Sequence, residues 1–262
     1  MITFYCQNVW DFSPTNYRNK LIHSLISQFD ADICLFQEYS LNATCSGELP
    51  LPELLKGVYD EAYKVSEGWN FTPVFYKREK FNLIDSGYFY YDGFNDENSK
   101  SVTWAVLEQK ESSVKFGVIA THFWWMFESE KDNEQRLENV NQLTEICDFI
   151  KEKYNVPIVV GGDLNNGKNA EQGEEPYKYM LTKGFSDVRF SAEETTDKFT
   201  HHDYPVLNDE GIYVNGTLPV RTLDYIFTYG DCPVNPKKFD VITTQVALDS
   251  SDHCPVIAQI EF

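Results

Sequence analysis

The nine residues Pro157-Ile158-Val159-Val160-Gly161-Gly162-Asp163-Leu164-Asn165 carry the clearest structural signal in this chain. Ile158 to Val160 form an uninterrupted apolar run, which is typical of a strand buried on both faces. Two glycines and a carboxylate end the run, and an Asp or Asn after a strand is most often a turn former or a helix cap. The same position also suits a group that does chemistry at a strand end, but Asp163 and Asn165 taken singly favour a structural role.

Other apolar runs in the chain also stop at a group that binds metal or moves protons. Side chains alternate across a strand, so residues of equal parity share a face. Ligands of layered α/β proteins collect at strand ends, and we therefore expect these groups to meet. The sets of equal parity are Phe4, Cys6 and Asn8; Cys34, Phe36 and Glu38; and Val114, Phe116, Val118, Ala120 and His122.

Each of these groups, and the acids further along the chain, also has a purely structural interpretation. Glu is a poor turn former, so Glu38 at the end of an apolar run favours a functional role. Asp224 is flanked by large apolar side chains and must be paired if buried, either with Arg221 or within an active site. His122 is compatible with a core histidine, and Asp252-His253 with a surface turn.

Strand-like and helical segments alternate along the chain, with no internal repeat and no linker rich in Gly, Ser or Pro. This pattern predicts one α/β sandwich domain over residues 1–262. Apolar spacing near three and four predicts helices over 21–29, 133–154 and 176–183. The predicted strands are 2–8, 33–36, 71–75, 81–84, 87–91, 102–108, 114–122, 157–160, 222–228 and 255–262.

The composition limits the class of partner. The 262 residues include 41 acidic and 22 basic side chains, which gives a formal net charge of −19. A hydrophobic content of 42% with 15% aromatic residues excludes a disordered chain. Proteins that hold long nucleic acid usually have a basic face, so the charge favours a small substrate unless metal cations intervene.

Cysteine usage and hydropathy bear on the compartment. The six cysteines are scattered and contain no CxxC pair, which favours buried free thiols and a reducing environment. No apolar segment approaches membrane-spanning length. Met1 leads directly into the first predicted strand, so we expect a cytoplasmic protein, or a secreted one if a signal peptide has been removed.

Five motifs in one order resemble the endonuclease/exonuclease/phosphatase superfamily. This family includes DNase I, abasic-site endonucleases, inositol polyphosphate 5-phosphatases, neutral sphingomyelinases and deadenylases. The resemblance extends from Asn8 to the final strand and implies a DNase I-like fold, a four-layer α/β/β/α sandwich with two mixed, mostly antiparallel β-sheets packed face to face. The motifs are Gln37-Glu38, Thr121-His122, Gly161-Gly162-Asp163-Leu164-Asn165, Leu223-Asp224-Tyr225-Ile226 and Ser251-Asp252-His253-Cys254-Pro255-Val256.

The resemblance also implies a Mg²⁺- or Mn²⁺-dependent hydrolase of phosphate esters, either a phosphodiesterase or a phosphomonoesterase. Oxygen ligands suit these two metals, whereas a zinc or redox protein would need a different ligand spacing. Carried over by motif, the resemblance makes Glu38 the main metal ligand, with Asn8 and Asp252 nearby. Asp163 and Asn165 would position the water and the phosphate. His253, oriented by Asp224, would act as the base or contact the phosphate, and His122 would bind the phosphate and assist the leaving group.

Two features depart from the family pattern or lie outside it. In DNase I a Glu supports the equivalent of His122, and the best match here is the neutral Asn70, which would leave His122 less basic. His122 also leads into the aromatic run 123–127. Packed loop and substrate-contacting surface are equally good interpretations of this run, with Trp124 and Trp125 as the candidate substrate contacts.

The substrate class remains open at the level of sequence. The net charge favours a small molecule or a lipid headgroup over long nucleic acid, bound by a monomer. The alternatives are a DNase- or RNase-type nuclease within the same fold and, less favoured because every principal motif residue is present, a non-catalytic binding module. The irregular segment 191–220 contains His201-His202, which we interpret as a solvated loop or as part of the pocket rim.

Overall fold

Two β-sheets form the centre of the molecule. In the computed structural model, sheet I has the strand order β10-β14-β15-β1-β2-β4-β3 and sheet II the order β5-β6-β7-β8-β13-β9, while β11 and β12 pair separately. The strands are β1 Ile2–Asn8, β2 Ile33–Gln37, β3 Tyr59–Glu61, β4 Val74–Lys77, β5 Phe81–Tyr90, β6 Ser101–Gln109, β7 Lys115–His122, β8 Ile158–Asp163, β9 Phe185–Asp187, β10 Glu194–Thr195, β11 Val206–Leu207, β12 Tyr213–Val214, β13 Asp224–Tyr229, β14 Asn235–Val241 and β15 Val256–Glu261.

Helices cover the outer faces of both sheets. The helices are α1 Arg18–Gln28, α2 Leu51–Leu55, α3 Glu130–Tyr154, α4 Glu175–Thr182, α5 Val188–Ser191 and α6 Gln245–Ser250. The structure describes residues 1–10, 18–40, 50–96, 98–166, 175–202, 219–231 and 233–262, together with the backbone of 206–207 and 213–214.

Three hydrophobic cores hold the sheets and helices together. Between the sheets, Phe4 and Leu35 of sheet I pack in one core with Phe116 and Val159 of sheet II. The outer face of sheet I packs against α1, α2 and α6. The outer face of sheet II packs against α3 and α4. Neighbouring strands pair antiparallel except β1–β2, β7–β8 and β10–β14, so the predicted four-layer sandwich with mixed, mostly antiparallel sheets is confirmed.

Several predicted boundaries were wrong for local reasons. Segments 81–84 and 87–91 form the single strand β5, which continues through an irregularity between Leu83 and Asp85. Helix α3 begins earlier than predicted, because Ser129 and Asp132 form a capping box. The segment predicted as strand 71–75 pairs only from Val74. Strand β14 was missed because its Asn-Pro-Lys-Lys start resembles a loop, and Pro236 is tolerated there at a register shift.

Gly161 and Gly162 allow β8 to lie close to its neighbours. A Cβ on Gly161 would overlap the Leu35 side chain of sheet I, and a Cβ on Gly162 would overlap the Thr121 carbonyl oxygen of β7. A side chain at Gly161 would require the Leu35 side chain to shift, and one at Gly162 would require the backbone of β7 to move. Gly161 therefore allows β8 to approach sheet I closely, and Gly162 allows it to approach β7.

The cysteines and the helices agree with the sequence as far as the structure describes them. Cys6, Cys34, Cys147 and Cys254 are buried and free, while Cys45 and Cys232 lie outside the described residues. Within the described part of the chain, no helix combines the length and apolar character needed to cross a membrane.

Candidate active site

Strand register places three of the predicted site residues in one row. His122 at the end of β7 lies opposite Asp163 at the end of β8, and Asp163 lies opposite Asp224 at the start of β13. Alternation turns all three toward the space between the sheets. From sheet I, the Asn8 amide nitrogen donates to Asp163 Oδ2 at 3.0 Å. These side chains therefore lie together at one end of the sandwich.

Glu38 reaches this site through an unusual backbone conformation. Cys34 and Phe36 face the outer helices, so simple alternation would point Glu38 away from the site. Strand β2 ends at Gln37, and Glu38 takes a φ of 55°, in the left-handed region that non-glycine residues rarely adopt. This turn brings its Oε1 to within 3.0 Å of the Asn8 amide nitrogen. Such strain is concentrated at functional sites.

Asp224 and His253 form a buried acid–histidine pair. His253 Nδ1 lies 2.8 Å from Asp224 Oδ2, and because an ionised carboxylate only accepts hydrogen bonds, Nδ1 carries a proton. The other ring nitrogen lies 3.8 Å from Asp163 Oδ2. Burial lowers the pKa of His253, but the charges of Asp224, Asp252 and Asp163 raise it more, to about 10. The alternative pairing of Asp224 with Arg221 is not adopted.

The acids at this end of the sandwich are incompletely compensated. Burial raises the pKa of Asp163 to about 7. Burial, with the nearby charge of Glu38, raises the pKa of Asp252 to about 6. A divalent cation would offset these charges, and carboxylate oxygens suit Mg²⁺ or Mn²⁺. Glu38 and Asp252, which line the same cavity, therefore fit the metal that the sequence resemblance implies.

Other acid and histidine groups also converge. Among the described residues, the ligand atoms of His201, Asp252 and His253, and those of Asp163, Asp224 and His253, lie within 4.8 Å of one another. The second group contains the Asp224–His253 hydrogen bond, so its geometry suits proton transfer better than metal binding.

The Asn8 side chain contacts the neighbouring acids through its amide nitrogen and not through its oxygen. Its Oδ1 accepts from the Trp10 backbone N–H at 2.9 Å, which fixes the orientation of the amide. The amide nitrogen then bridges Glu38 and Asp163. In this arrangement the amide nitrogen of Asn8, and not its oxygen, faces Glu38 and Asp163.

His122 lies behind the site surface. It is only 1% exposed, and it contacts Lys100 and Asn165, which line the cavity. The Asn165 amide nitrogen donates to the Phe123 carbonyl oxygen and to His122 Nε2, both at 3.0 Å. His122 is therefore neutral with its proton on Nδ1. Burial holds the pKa of His122 well below its usual value, and the charge of Lys100 lowers it further.

The prediction that Asn70 supports His122 was wrong. The Asn70 amide donates to the Tyr63 carbonyl oxygen, and its Oδ1 accepts from Thr72 and Thr103, so the side chain fixes the segment between β3 and β4 against β6. Lys100 occupies the place next to His122 instead, with Nζ 3.3 Å from Nδ1 and 3.2 Å from Nε2. The sequence gives no signal for this contact, because Lys100 follows a polar, turn-like segment.

The aromatic run 123–127 divides between packing and the cavity. Trp124 is 6% exposed and donates to Asp132 Oδ1 at 2.8 Å, so for this residue the structure favours the packed-loop interpretation over substrate contact. Trp125 is 48% exposed, lines the cavity and donates its indole N–H to Asp96. Phe127 lines the same cavity. Only the second half of the run is available to a ligand.

The interpretation of His201-His202 as a solvated loop was wrong. His202 is fully buried, and its backbone N–H donates to the Asp252 carbonyl oxygen. His201 lines the cavity, stacks edge-on against His253 with ring centroids 4.6 Å apart, and accepts from Arg221 Nε at 3.0 Å. The pocket-rim interpretation holds for His201, in a segment whose sequence lacks periodicity.

The cavity at this site has a volume of about 1270 Å³. Charged, amide and aromatic side chains all line it. This volume is ample for a small molecule. The lining residues include Glu38, Lys100, Asp163, Asn165, Asp252 and His253, together with the aromatic residues Trp10, Phe71, Trp125 and Phe127.

No protein-family model matches the chain, and no curated protein matches it in sequence. Solved structures match over its whole length. The mannosyl-6-phosphatase Bt3783 of Bacteroides thetaiotaomicron VPI-5482 is 18% identical, with a TM-score of 0.76 and 100% of both chains covered. An endonuclease/exonuclease/phosphatase from Bacteroides vulgatus is 22% identical, with a TM-score of 0.76 over 100% of this chain and 98% of the other. The human Nocturnin catalytic domain with bound sulfate is 19% identical, with a TM-score of 0.68 over 100% and 94%.

Proposed function

We propose that this chain, which has the fold of the endonuclease/exonuclease/phosphatase superfamily, is a divalent-metal-dependent hydrolase of phosphate esters. The observation that carries the proposal is the convergence of Glu38, Asp163, Asp252 and the Asp224–His253 pair on one cavity. Residues from both sheets and from the end of the chain meet there, at a site where acids are buried together. The presence of a phosphatase among the solved structures of this fold supports the reaction class.

The Asp224–His253 pair supplies the base in this proposal. Asp224 holds the proton on His253 Nδ1, which leaves Nε2 directed toward Asp163. The positive charge of a bound divalent cation would offset the carboxylates that raise the pKa of His253, which would leave Nε2 unprotonated. A water hydrogen-bonded to Nε2 and Asp163 Oδ2 is then oriented for attack on phosphorus, and its proton passes to Nε2. Asp224 stabilises the imidazolium that forms.

Glu38 and Asp252 would hold the metal, and Asn8 would fix the position of Glu38 through its amide. When bound, the metal supplies positive charge that offsets the carboxylates and the charge on the phosphoryl oxygens. Asn165 lines the cavity and is anchored by the Phe123 carbonyl, so its amide is placed to bind a phosphoryl oxygen. His122, which lies behind it, orients Asn165 and Lys100.

We propose a small phosphorylated molecule as the substrate. The polar and aromatic side chains that line the cavity suit a phosphate attached to a ring, since sugars and bases both pack on aromatic faces. A sugar phosphate is the first candidate, because a mannosyl-6-phosphatase shares the fold over the full length of the chain. A lipid headgroup presents the same phosphate chemistry.

An activity screen with Mn²⁺ tests this function. We expect hydrolysis of p-nitrophenyl phosphate and mannose 6-phosphate, loss of turnover in EDTA, and loss in Asp163→Ala and His253→Ala. His23→Ala, on α1, is the matched control and keeps full activity. Turnover that survives both site substitutions would refute the assignments, and rapid cleavage of DNA or RNA with no turnover of small esters would assign a nuclease instead.

A further inference from the structure

Lys100 is a buried cation with no described anionic partner in contact. It lies just before β6, is 5% exposed and lines the cavity beside Asp163 and Asn165. Lysine is almost never buried unless it is paired. Among the residues that the structure describes, no carboxylate lies within ion-pair distance of its Nζ, and its side-chain contact is the His122 ring.

The geometry of that contact leaves the ammonium group free to meet a ligand. Nζ is 3.3 Å from Nδ1 and 3.2 Å from Nε2 of His122. Because Cε1 separates these nitrogens in the ring plane, an atom nearly equidistant from both at this range lies over the ring face. A cation over an aromatic face is attracted by the ring without using its N–H groups.

His122 cannot satisfy Lys100 as an anion would. It is neutral, because Asn165 donates to its Nε2, and it is almost fully buried. Burial lowers the pKa of Lys100, while the charges of Glu38, Asp163 and Asp96 oppose that effect from beyond contact distance. An unpaired buried ammonium is costly to the folded state, and a methionine would fill the same space without that cost.

Phosphodiesters and phosphomonoesters differ in charge, and this difference indicates which class Lys100 is suited to bind. A phosphodiester carries one negative charge, whereas a phosphomonoester carries about −1.5 to −2 near neutral pH and has three terminal acceptor oxygens. Metal and imidazole groups serve both classes. A further, buried cation in the lining of the cavity matches the additional charge that only the monoester brings.

We propose that Lys100 binds a terminal oxygen of a phosphomonoester and thereby makes this protein a phosphomonoesterase in preference to a phosphodiesterase. The inference rests on the proposed function, whose active site it refines. Lys100 takes the place at the substrate that the sequence resemblance gave to His122, and His122 supports Lys100 from behind.

The test compares two esters with the same leaving group. With Mn²⁺ present, wild type is expected to prefer p-nitrophenyl phosphate over bis-p-nitrophenyl phosphate. Lys100→Met is expected to lower kcat/KM for the monoester by about 10²–10³-fold, as loss of one charge-stabilising donor does elsewhere, and to change the diester by less than about threefold. Lys100→Arg should retain part of the preference, because it keeps the charge.

A control variant and a stability measurement distinguish a role of Lys100 in substrate binding from a role in the stability of the fold. Lys131→Met removes an exposed lysine from the start of α3 and should leave both rates unchanged. Thermal unfolding should show Lys100→Met to be at least as stable as wild type, because a buried charge is removed. An equal loss for both esters, or no loss for the monoester, would overturn the proposal.

A phosphate-binding measurement distinguishes failure of the proposed role of Lys100 from failure of the proposed function. Isothermal titration with inorganic phosphate should show binding to wild type and weakening of at least about tenfold in Lys100→Met, whether or not either ester is hydrolysed. If wild type hydrolyses neither ester but loses phosphate binding on substitution, the anion site stands and the proposed reaction fails. Equal phosphate binding by both proteins would overturn the role of Lys100.

Discussion

At the scale of single residues, the hydrogen bond between Asp224 and His253 is the contact on which the proposed chemistry most depends. The carboxylate is fully buried, and its Oδ2 fixes both the orientation of the imidazole and the nitrogen that carries the proton. The second oxygen, Oδ1, has no hydrogen-bond partner among the described residues. The pair therefore bears the cost of a buried charge, which is common where function requires it.

Asp224→Asn should lower kcat by about 10²–10⁴-fold while leaving the fold intact. An amide keeps the shape of the side chain but donates as well as accepts, so it can hold His253 in the wrong tautomer. Steady-state kinetics with p-nitrophenyl phosphate measure the effect, and circular dichroism checks the fold. Asp231→Asn, an exposed aspartate, is the control. A rate within about threefold of wild type would exclude the role assigned to Asp224 in orienting His253.

The residues that sequence reasoning found differ from those it missed in one physical respect. Asp163, Asp224 and His253 end or border strands, so local patterns and motif order locate them. Lys100 and His201 reach the cavity from segments without periodicity, and their placement follows from tertiary packing. Asn70 shows the opposite failure, because the side chain at this motif-like position hydrogen-bonds to the loop that contains it and to β6 instead of to His122.

At the scale of elements, strand register and glycine spacing align the two halves of the site. Strand β8 pairs with β7 on one side and β13 on the other, which places His122, Asp163 and Asp224 side by side. The sequence predicted these strands because their apolar runs are continuous. It did not predict the path of Glu38, since alternation alone points that side chain outward and the left-handed turn after β2 has no local signature.

Gly162→Ala should destabilise the protein by about 1–3 kcal/mol, the usual range for overpacking. The added methyl group would overlap the backbone carbonyl of Thr121, which cannot move without shifting β7. Gly117→Ala is the matched control, because its nearest neighbour would be the Ile158 side chain at 3.1 Å, which can adjust. Urea denaturation measures both. Equal stability of Gly162→Ala and wild type would contradict the packing described for β8.

Glu61 on β3 gives the stability of the fold a pH dependence that is unrelated to catalysis. Burial raises the pKa of Glu61 to about 7, above the value of about 4.3 expected in the unfolded chain. The folded state therefore binds the proton more tightly. Its contribution to stability is fully present below about pH 4 and is lost as the pH rises through about 7.

Glu61→Gln removes this titration. At about pH 8 the variant should be more stable than wild type by about 2 kcal/mol, and near pH 4 the two should be equal. Urea unfolding at both pH values measures the difference. A variant that is less stable than wild type at the higher pH would show that the carboxylate is held in its charged form.

At the scale of the whole molecule, the net charge of −19 and the large cavity both bear on the proposed substrate. Part of the acidic excess lies in the lining of the cavity, at Glu38, Asp163 and Asp252, and a bound cation would offset it there. A net negative charge disfavours long polyanions, so under the proposed function we expect a small ester to be the better substrate.

Metal-dependent turnover in this cavity is tested most directly by following p-nitrophenyl phosphate hydrolysis in protein stripped with EDTA and then titrated with Mn²⁺, in wild type and in Glu38→Gln. Wild type should be inactive when stripped and recover with added metal, and Mn²⁺ should raise its Tm. Glu38→Gln should recover less than about 1% of the rate and show a smaller shift in Tm. Full turnover by the stripped wild-type protein, or an unimpaired Glu38→Gln variant, would contradict a metal-dependent site built on Glu38.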